Sequence, residues 1–499
     1  MAGQRFKVGI VGLQPNRSWA ARAHIPALRA LSETFEIVGV ANTSRASAEE
    51  AAATIGLPRA FDGVSELIAA PEVDIVTIAV KVPHHLGIAK AAIEAGKHVY
   101  CEWPLGNGLD EAEEMAALAR ANGVLGVVGT QARVAPEIEY LRHLIAEGFV
   151  GEVLSTTLIA RGGALQGGGT IPEKKTYSYL LDRINGATML TIPVGHTLAA
   201  LRDILGEVAE VSAVLATRRS TAYIADTGET LPVSAPDQVL VSGILASGVP
   251  ITIHYRGGMA RDGDGLFWEI NGTEGDIRVS GPSGHTQMVQ LSLKGARTGE
   301  KEFRTLEVPA SYRSGWPEDV EPGNVARLYA RMARDLQDGT HTAPSFEDAV
   351  ALHRVIAAIE RGDAQHPVGA DGGEGVGRLR DGERQHETLV EIGVLPDQVH
   401  PARRSADHLG VAVIARGELG PELGGDHRAH RAPFAATSFQ ASATMTESSG
   451  RSGTQPSSRR ARAAEATSTA GSPARRPATR TSSTRPVTCS TVARTSRTE

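Results

Sequence analysis

The run Val8-Gly-Ile-Val-Gly-Leu-Gln-Pro-Asn-Arg-Ser-Trp-Ala-Ala-Arg-Ala-His24 reads as a strand, a turn and the start of a helix. That order brings the free backbone N–H groups of a helix N-terminus to a phosphate, and a glycine in the turn lets the backbone approach a pyrophosphate. Gly12 supplies the tight turn, but the next two glycine positions of the fingerprint fall on Gln14 and Arg17. Arg17 is suited to contact a phosphate and Trp19 to pack on a dinucleotide. Either the longer loop wraps such a ligand differently, or the domain binds none. The second strand runs out in Ala41-Asn-Thr-Ser-Arg45, where an acidic residue would accept hydrogen bonds from ribose hydroxyls. Without that acid, Thr43, Ser44 and Arg45 offer hydroxyls and a guanidinium to a 2′-phosphate, which favours NADP slightly over NAD. The same residues also suit an ordinary solvated helix start.

These residues need a scaffold to hold them. From Phe6 to about Gly129, strand-length apolar runs at 6–12, 35–40, 73–80, 98–101 and 125–128 alternate with helical stretches at 18–32, 46–55, 86–95 and 109–121. Such alternation indicates βαβ units, and the nearly continuous apolar strands indicate burial on both faces of a parallel sheet. The expected fold class is α/β, with a Rossmann-type doubly wound parallel sheet over 1–129. An α+β domain with a large, mostly antiparallel sheet is expected over 130–362. Its strands are predicted at 152–160, 208–217, 238–246, 250–255, 267–271, 276–279 and 288–293. Its helices are predicted at 136–148, at 187–205 despite Pro193, and at 325–337 and 345–361, with start signals in Gly323-Asn324 and Pro344-Ser345.

Composition narrows the function classes. At ~150 residues per domain, 499 residues hold up to about three folding units. A hydrophobic share of 41% and a charged share of 22% argue against a collagen-like, coiled-coil or wholly disordered chain. There is no apolar stretch of ~18 residues and no signal-like segment before Val8, so no membrane partner is expected and the expected compartment is the cytoplasm. Cys101 and Cys489 offer neither a disulfide framework nor zinc spacing, and no metal site is expected. The 363–499 segment reads as a low-complexity, disordered basic tail, or as the product of a shifted reading frame, with no lysine after Lys301. Within it, 435–499 carries ten Arg against three Glu, or +7, which leaves −13 of the net −6 on the remainder. No DNA-reading motif accompanies this charge, so nucleic acid is not an expected partner.

The segments Val73-Asp-Ile-Val-Thr-Ile-Ala-Val80, His85 and Ala91-Ala-Ile-Glu-Ala-Gly-Lys-His-Val-Tyr-Cys-Glu-Trp-Pro-Leu105 resemble the Gfo/Idh/MocA family. Glucose–fructose oxidoreductase and inositol dehydrogenase are relatives of this kind. The resemblance runs over roughly 5–362, including Gly148-Phe-Val-Gly-Glu-Val153 and Asn271-Gly-Thr-Glu-Gly-Asp276. It implies a dinucleotide-binding domain, a second domain whose open sheet supports a substrate pocket and oligomer contacts, and hydride exchange with nicotinamide, commonly on sugars or polyols. The implied NAD(P) contacts are Gly12, Leu13, Gln14, Asn16, Arg17, Trp19, Thr43, Ser44, Arg45, Lys81, His85, Glu102 and Trp103.

Two departures from the family pattern bear on chemistry. The family's Glu-Lys-Pro motif falls on Glu102-Trp103-Pro104, which puts an indole where a lysine would polarise a carbonyl or move a proton. The family's Asp four residues before a His falls on Ile192 and His196, so the acid is missing and the histidine remains. His196 is then the expected general acid/base. Lys175 or Tyr177, from the polar segment Glu173-Lys-Lys-Thr-Tyr-Ser-Tyr179, is the expected substitute for the lysine. Gly12-Leu13, Asn16, Trp19-Ala20, His24-Ile-Pro26, Glu102-Trp103 and Gly195-His-Thr197 most resemble a sub-branch that includes the yeast galactose-pathway repressor, a dinucleotide-binding regulator. The leading expectation is an NAD(P)-dependent oxidoreductase acting on a carbohydrate-like hydroxy or keto compound, as a homo-oligomer. The alternative is a catalytically impaired dinucleotide- or sugar-sensing regulator with a protein partner.

Overall fold

A computed structural model describes residues 5–163, 165–364 and 390–391 of the chain. Its first sheet has five strands: β1 (Phe6–Val11), β2 (Phe35–Ala41), β3 (Ile75–Ile78), β4 (His98–Glu102) and β5 (Gly126–Gly129). All pair in parallel in the order β2-β1-β3-β4-β5. Every residue of β3 and β5 is buried, as the continuous apolar runs require. Between them run helices α1 (Ile25–Ala30), α2 (Arg45–Ile55), α3 (Val64–Ala69), α4 (His85–Glu94) and α5 (Leu109–Asn122). The chain leaves β1 toward β2 on one side and reaches β3 on the other. The carboxyl ends of β1 and β3 therefore flank a topological switch point, where such sheets leave a crevice for a ligand.

After α6 (Pro136–Ala146) the chain enters the larger sheet through β6 (Val153–Arg161). A small lobe follows, with β7 (Thr170–Ile171), α7 (Lys174–Tyr177), β9 (Thr221–Ile224) and β10 (Thr230–Pro232), interrupted by α8 (Gly195–Leu205) and β8 (Val208–Ala216), which belong to the main body. Next come β11 (Gln238–Leu245), β12 (Pro250–Arg256), β13 (Leu266–Gly272), β14 (Gly275–Gly281), β15 (Ser292–Arg297) and β16 (Arg304–Thr305). Two long helices, α9 (Val320–Asp338) and α10 (Phe346–Ala364), close the main body, and Val390–Glu391 forms strand β17. The sheet order is β16-β15-β14-β13-β6-β12-β11-β8-β17, and β7, β9 and β10 form a separate small sheet. Within the large sheet β6 and β12 run parallel; its other pairs are antiparallel.

Three expected elements are corrected. The strand expected at 288–293 starts at Ser292, because Met288 closes a turn onto the His285 carbonyl. Helix α9 begins at Val320 after Asp319 rather than at the Gly323-Asn324 signal. The stretch expected as one helix from 187 opens as a π-turn over Leu190–Val194, because Pro193 lacks an N–H, and becomes regular at Gly195. The predicted tail lies outside the described residues apart from the end of α10 and Val390–Glu391.

Sequence order does not map onto packing. Helix α9, far along the chain, joins α1, α2 and β1 in one apolar core, burying Val325, Leu328, Tyr329 and Met332 against Ile10, Leu28 and Phe35. The other face of the parallel sheet is covered by α4, α5 and α10. This core continues without a break into the inner face of the large sheet through Leu158, Tyr255, Trp268 and Ile277. The crevice above the parallel sheet is thus set between two layers that share one apolar core.

Candidate functional site

Gly12 ends β1 at a positive φ of 94°. A Cβ there would sit 2.5 Å from Val80 Cγ1 and 2.8 Å from the Ala79 carbonyl, so only glycine fits between the ends of β1 and β3. The loop beyond it is fixed by a residue the sequence reading passed over. Asn42 accepts the Leu13 N–H at 2.9 Å and donates to the Leu13 carbonyl at 2.8 Å and to Ser47 O at 2.9 Å. Ser18 Oγ then accepts the Gln14 N–H at 2.9 Å. Gln14, Asn16 and Arg17 are left exposed at the tip, and Asn16 adopts φ 66°. Trp19 is half-buried, with an indole N–H that has no partner.

Residues expected to select a 2′-phosphate have other duties. Ser44 caps α2 by accepting the Ser47 N–H at 3.2 Å, and Arg45 pairs along the helix with Glu49 at 2.8 Å. Thr43 lies exposed beside them.

From the other side the small lobe reaches across the crevice. Arg17 Nη1 meets Glu173 Oε2 at 2.7 Å, and Lys81 Nζ donates to the Lys175 carbonyl at 3.0 Å. Lys81 also sits 4.6 Å over the ring of Tyr179, and burial, then the neighbouring Lys175 charge, lower its pKa. Lys175 therefore meets the first domain through its backbone, while its own amino group is exposed. Tyr177 packs among Val82, Leu180 and Leu181. Neither takes the expected place of a lysine at position 103. Lys81, rather than Lys175, is the lysine whose amino group reaches the crevice.

His85 is not available to a ligand. Fully buried, it sets Nδ1 2.9 Å from the Pro104 carbonyl and Nε2 3.0 Å from the Val80 carbonyl, so it clamps the 103–105 turn to the end of β3. Glu102 is enclosed in the same way. Its carboxylate accepts both Gln131 Nε2 contacts at 2.8 Å and lies 2.9 Å from His24 Nε2. His24 Nδ1 continues to Tyr329 Oη at 2.8 Å, which meets Thr77 Oγ1 at 2.8 Å. A buried carboxylate needs such partners, and α9 supplies one of them from far along the sequence.

Trp103 fills the seam between the layers. Its indole N–H donates to the Thr191 carbonyl at 2.6 Å, and its ring lies 4.7 Å from that of His353 on α10. Gly195 makes room for it, because a Cβ at Gly195 would fall 2.6 Å from Trp103 Nε1. Next to that glycine is His196, 3% exposed, with Nδ1 lacking any partner. Burial, helped by neighbouring His285, lowers its pKa to about 3. Burial thus favours the neutral imidazole at His196, the residue expected to act as general acid/base. His285 is neutral by its contacts too, with Nε2 2.8 Å from the Gly162 carbonyl and Nδ1 3.3 Å from Gln287 Nε2. Among the described residues no group of three or more His, Cys, Asp or Glu could hold a metal ion. None of their helices is long and apolar enough to cross a membrane.

The crevice fits a dinucleotide. The glycine turn at Gly12, the fixed 13–18 loop and the cations Arg17 and Lys81 converge at the switch point. The sequence carried a signal for the turn but not for Asn42, Glu173 or Tyr179, whose roles depend on what the fold sets opposite them.

Comparison with known proteins agrees with this architecture. Residues 6–130 match the oxidoreductase family model with an NAD-binding Rossmann fold, and residues 136–281 match the Gal80p C-terminal domain. Dehydrogenase aclE of Aspergillus oryzae is 30% identical over 72% of this chain and 96% of its own length. Levoglucosan dehydrogenase of Pseudarthrobacter phenanthrenivorans is 25% identical over 71% of the chain and 95% of its own length. The galactose/lactose metabolism regulatory protein GAL80 of Kluyveromyces lactis is 26% identical over 72% of this chain and 94% of its own length. A crystal structure of Gal80p from that species covers 72% of this chain and 90% of its own, at 27% identity and a TM-score of 0.64. With its parallel sheet, its glycine turn and its Gal80p-type second domain, the chain belongs to the Gfo/Idh/MocA family of NAD-binding oxidoreductases.

Proposed function

We propose that this chain is an NAD(P)-dependent oxidoreductase that moves a hydride to or from a sugar, polyol or related hydroxy or keto compound. The observation that carries the reading is the unpartnered, buried Nδ1 of His196, whose chain neighbour Gly195 packs on Trp103 where the two layers meet. Nicotinamide, when bound, supplies the hydride acceptor or donor. The 12–17 loop and Lys81 hold its phosphates, Trp103 walls the pocket and excludes water, and His196 Nδ1 takes the hydrogen bond of the substrate hydroxyl. In the tautomer with hydrogen on Nε2, Nδ1 accepts the hydrogen bond of the substrate hydroxyl and orients it without taking up its proton.

Steady-state assays with monosaccharides, polyols and anhydrosugars are expected to find turnover of NAD(P). His196→Ala then lowers kcat/KM by about ten-fold, the worth of one orienting hydrogen bond, while changing the dissociation constant for the nucleotide less than about twofold. Because burial holds His196 near 3, no limb of the pH–rate profile between 5 and 8 belongs to it. An alkaline limb below the ordinary lysine range reports Lys81.

A regulator reading has its own support. At the position where the family pattern has lysine, Trp103 is buried and bonded to a carbonyl, and a GAL80 protein is among the relatives. Firm nucleotide binding without turnover across the whole panel would favour it, with nucleotide-dependent capture of a protein partner as its positive test.

The cofactor preference is NADP over NAD. With no acid in 41–45, Arg45 reaches a 2′-phosphate by leaving Glu49. NADPH is expected to bind about five-fold tighter than NADH, the worth of one exposed charge-assisted contact, and Arg45→Ala to equalise them in calorimetry. Equal constants in the unaltered protein reject the preference.

The working unit is a homo-oligomer joined through the open face of the large sheet. There the register sets exposed Val214 beside Leu240, and Ile159 beside Phe267, with His254 between Leu240 and Ile159. A row of this kind invites a second sheet. Leu240→Asp is expected to shift sedimentation toward monomer; an unchanged profile removes this face from consideration.

A further inference from the structure

Two arginines end neighbouring parallel strands. β6 closes on Arg161 and β12 on Arg256, and the register sets them directly side by side. Strands in a sheet lie ~4.8 Å apart, and residues paired in register leave the same face, so both guanidinium groups stand at one end of the open face of the large sheet. Arg219, whose Nη1 lies 3.7 Å from where a Cβ on Gly258 would sit, and Arg261 bring two more charges into the same field, and Asp262 sets a carboxylate against them. Asp237, close by, is occupied by the Arg219 backbone N–H at 2.6 Å and by Gln238 Nε2 at 3.1 Å.

Among the described residues most buried or half-buried arginines face an acid, as Arg133 does Asp203, Arg202 does Glu207 and Arg278 does Glu269, while Arg327 instead donates to the Tyr312 carbonyl. Among the described residues the side chains of Arg161, Arg256 and Arg261 have no such partner, and Arg256 Nε is buried with none. A guanidinium does not discharge at any working pH, so this gathering repels itself. Its forked N–H groups match two oxygens of a phosphate or carboxylate, which would remove the repulsion. Glycines surround the spot. Gly162-Gly163 and Gly257-Gly258 follow the two strands, and Gly163 bridges Gly258, so no side chain from these four positions covers the rim.

We propose that this rim binds a small oxyanion, a phosphate or carboxylate group, between Arg161 and Arg256 with Arg219 and Arg261 around it. The site lies across the large sheet from His196 and stands whether or not the chain is an oxidoreductase. Phosphorylated and polycarboxylic metabolites share this chemistry.

The test is thermal unfolding of the full chain in potassium phosphate, sodium citrate or potassium chloride at matched ionic strength, for the unaltered protein, for Arg161→Gln/Arg256→Gln and for the control Arg304→Gln. Phosphate, citrate or both are expected to raise Tm by about 3 °C beyond chloride at roughly ten times the dissociation constant. The double variant is expected to melt higher than the unaltered protein in anion-poor buffer and to lose the response; Arg304→Gln keeps it. The basic tail is present in every sample, so its own affinity for anions cancels. A response to phosphate alone or to citrate alone identifies the group. An equal response to chloride, or one that survives in the double variant, overturns the proposal. So does an oligomer that Arg161→Glu/Arg256→Glu dissociates while neither anion acts, since the arginines then meet the carboxylates of a second copy.

Discussion

Unfolding free energy is expected to hold steady from pH 8 to about 7 and then fall steeply as the pH drops through 6 toward 4.5. The cause is a set of imidazoles buried as neutral rings. Burial lowers His353 to about 4, and His196, with His285 beside it, to about 3. In the unfolded chain both titrate near 6.5. Between these values the unfolded state binds protons that the folded state refuses, so stability rises with pH across the window and is lost as pH falls. Each histidine contributes a slope of about 1.4 kcal/mol per pH unit in the middle of the window, or about 3 kcal/mol per unit for the pair. His85 and His285, also lowered by burial, act in the same direction. Below about pH 4, protonation of Asp348, held low chiefly by Arg133 and by hydrogen bonds from Ser345 against the cost of burial, adds to the loss. Urea midpoints from pH 8 to 4.5 measure the effect. His353→Leu removes the unpartnered buried Nε2, so it is expected to be as stable as the parent or more so at pH 7 and to have a shallower acid slope. Midpoints unchanged between pH 7 and 5 would sink the account.

How much of this was legible beforehand follows from what a sequence pattern encodes. The parallel sheet was legible because strands buried on both faces must be continuously apolar, and β1, β2 and β3 are written that way. The glycine turn was legible because Gly12 stands at the end of such a strand. Helix α9 was legible as a helix but not as part of the first domain, since periodicity shows that a face is apolar without naming what it meets. Tyr329 could not be linked to His24 on that ground. Strands β7, β9 and β10, at two to four residues, are too short to leave an alternating pattern. The environment of His196 was illegible for a similar reason: its pKa depends on burial by the fold around α8 and on His285 arriving from 89 positions later. The pairing of Arg161 with Arg256 needs a parallel register between strands 95 positions apart, which no local signal carries.

Trp103 and Gly195 are expected to be strongly coupled in stability. Trp103→Ala removes a large ring from a seam lined by Thr191, Gly195 and His353, and deletions of this kind cost about 3–5 kcal/mol. Trp103→Phe keeps most of the packing but leaves the Thr191 carbonyl without its 2.6 Å donor, which costs about 1–3 kcal/mol. Gly195→Ala acts by a different route. Its new methyl falls 2.6 Å from Nε1 and 2.9 Å from Cζ2 of a ring that cannot yield, and overpacking of that sort costs about 1–3 kcal/mol. Once the indole is gone the methyl meets free space. The double variant Trp103→Ala/Gly195→Ala is therefore expected to be no less stable than Trp103→Ala alone, and to gain from the higher helix propensity of alanine early in α8. Four urea titrations complete the cycle. Additive losses would mean that the glycine is not there to seat the indole, and would leave the replacement of lysine by tryptophan without its structural counterpart in the second layer.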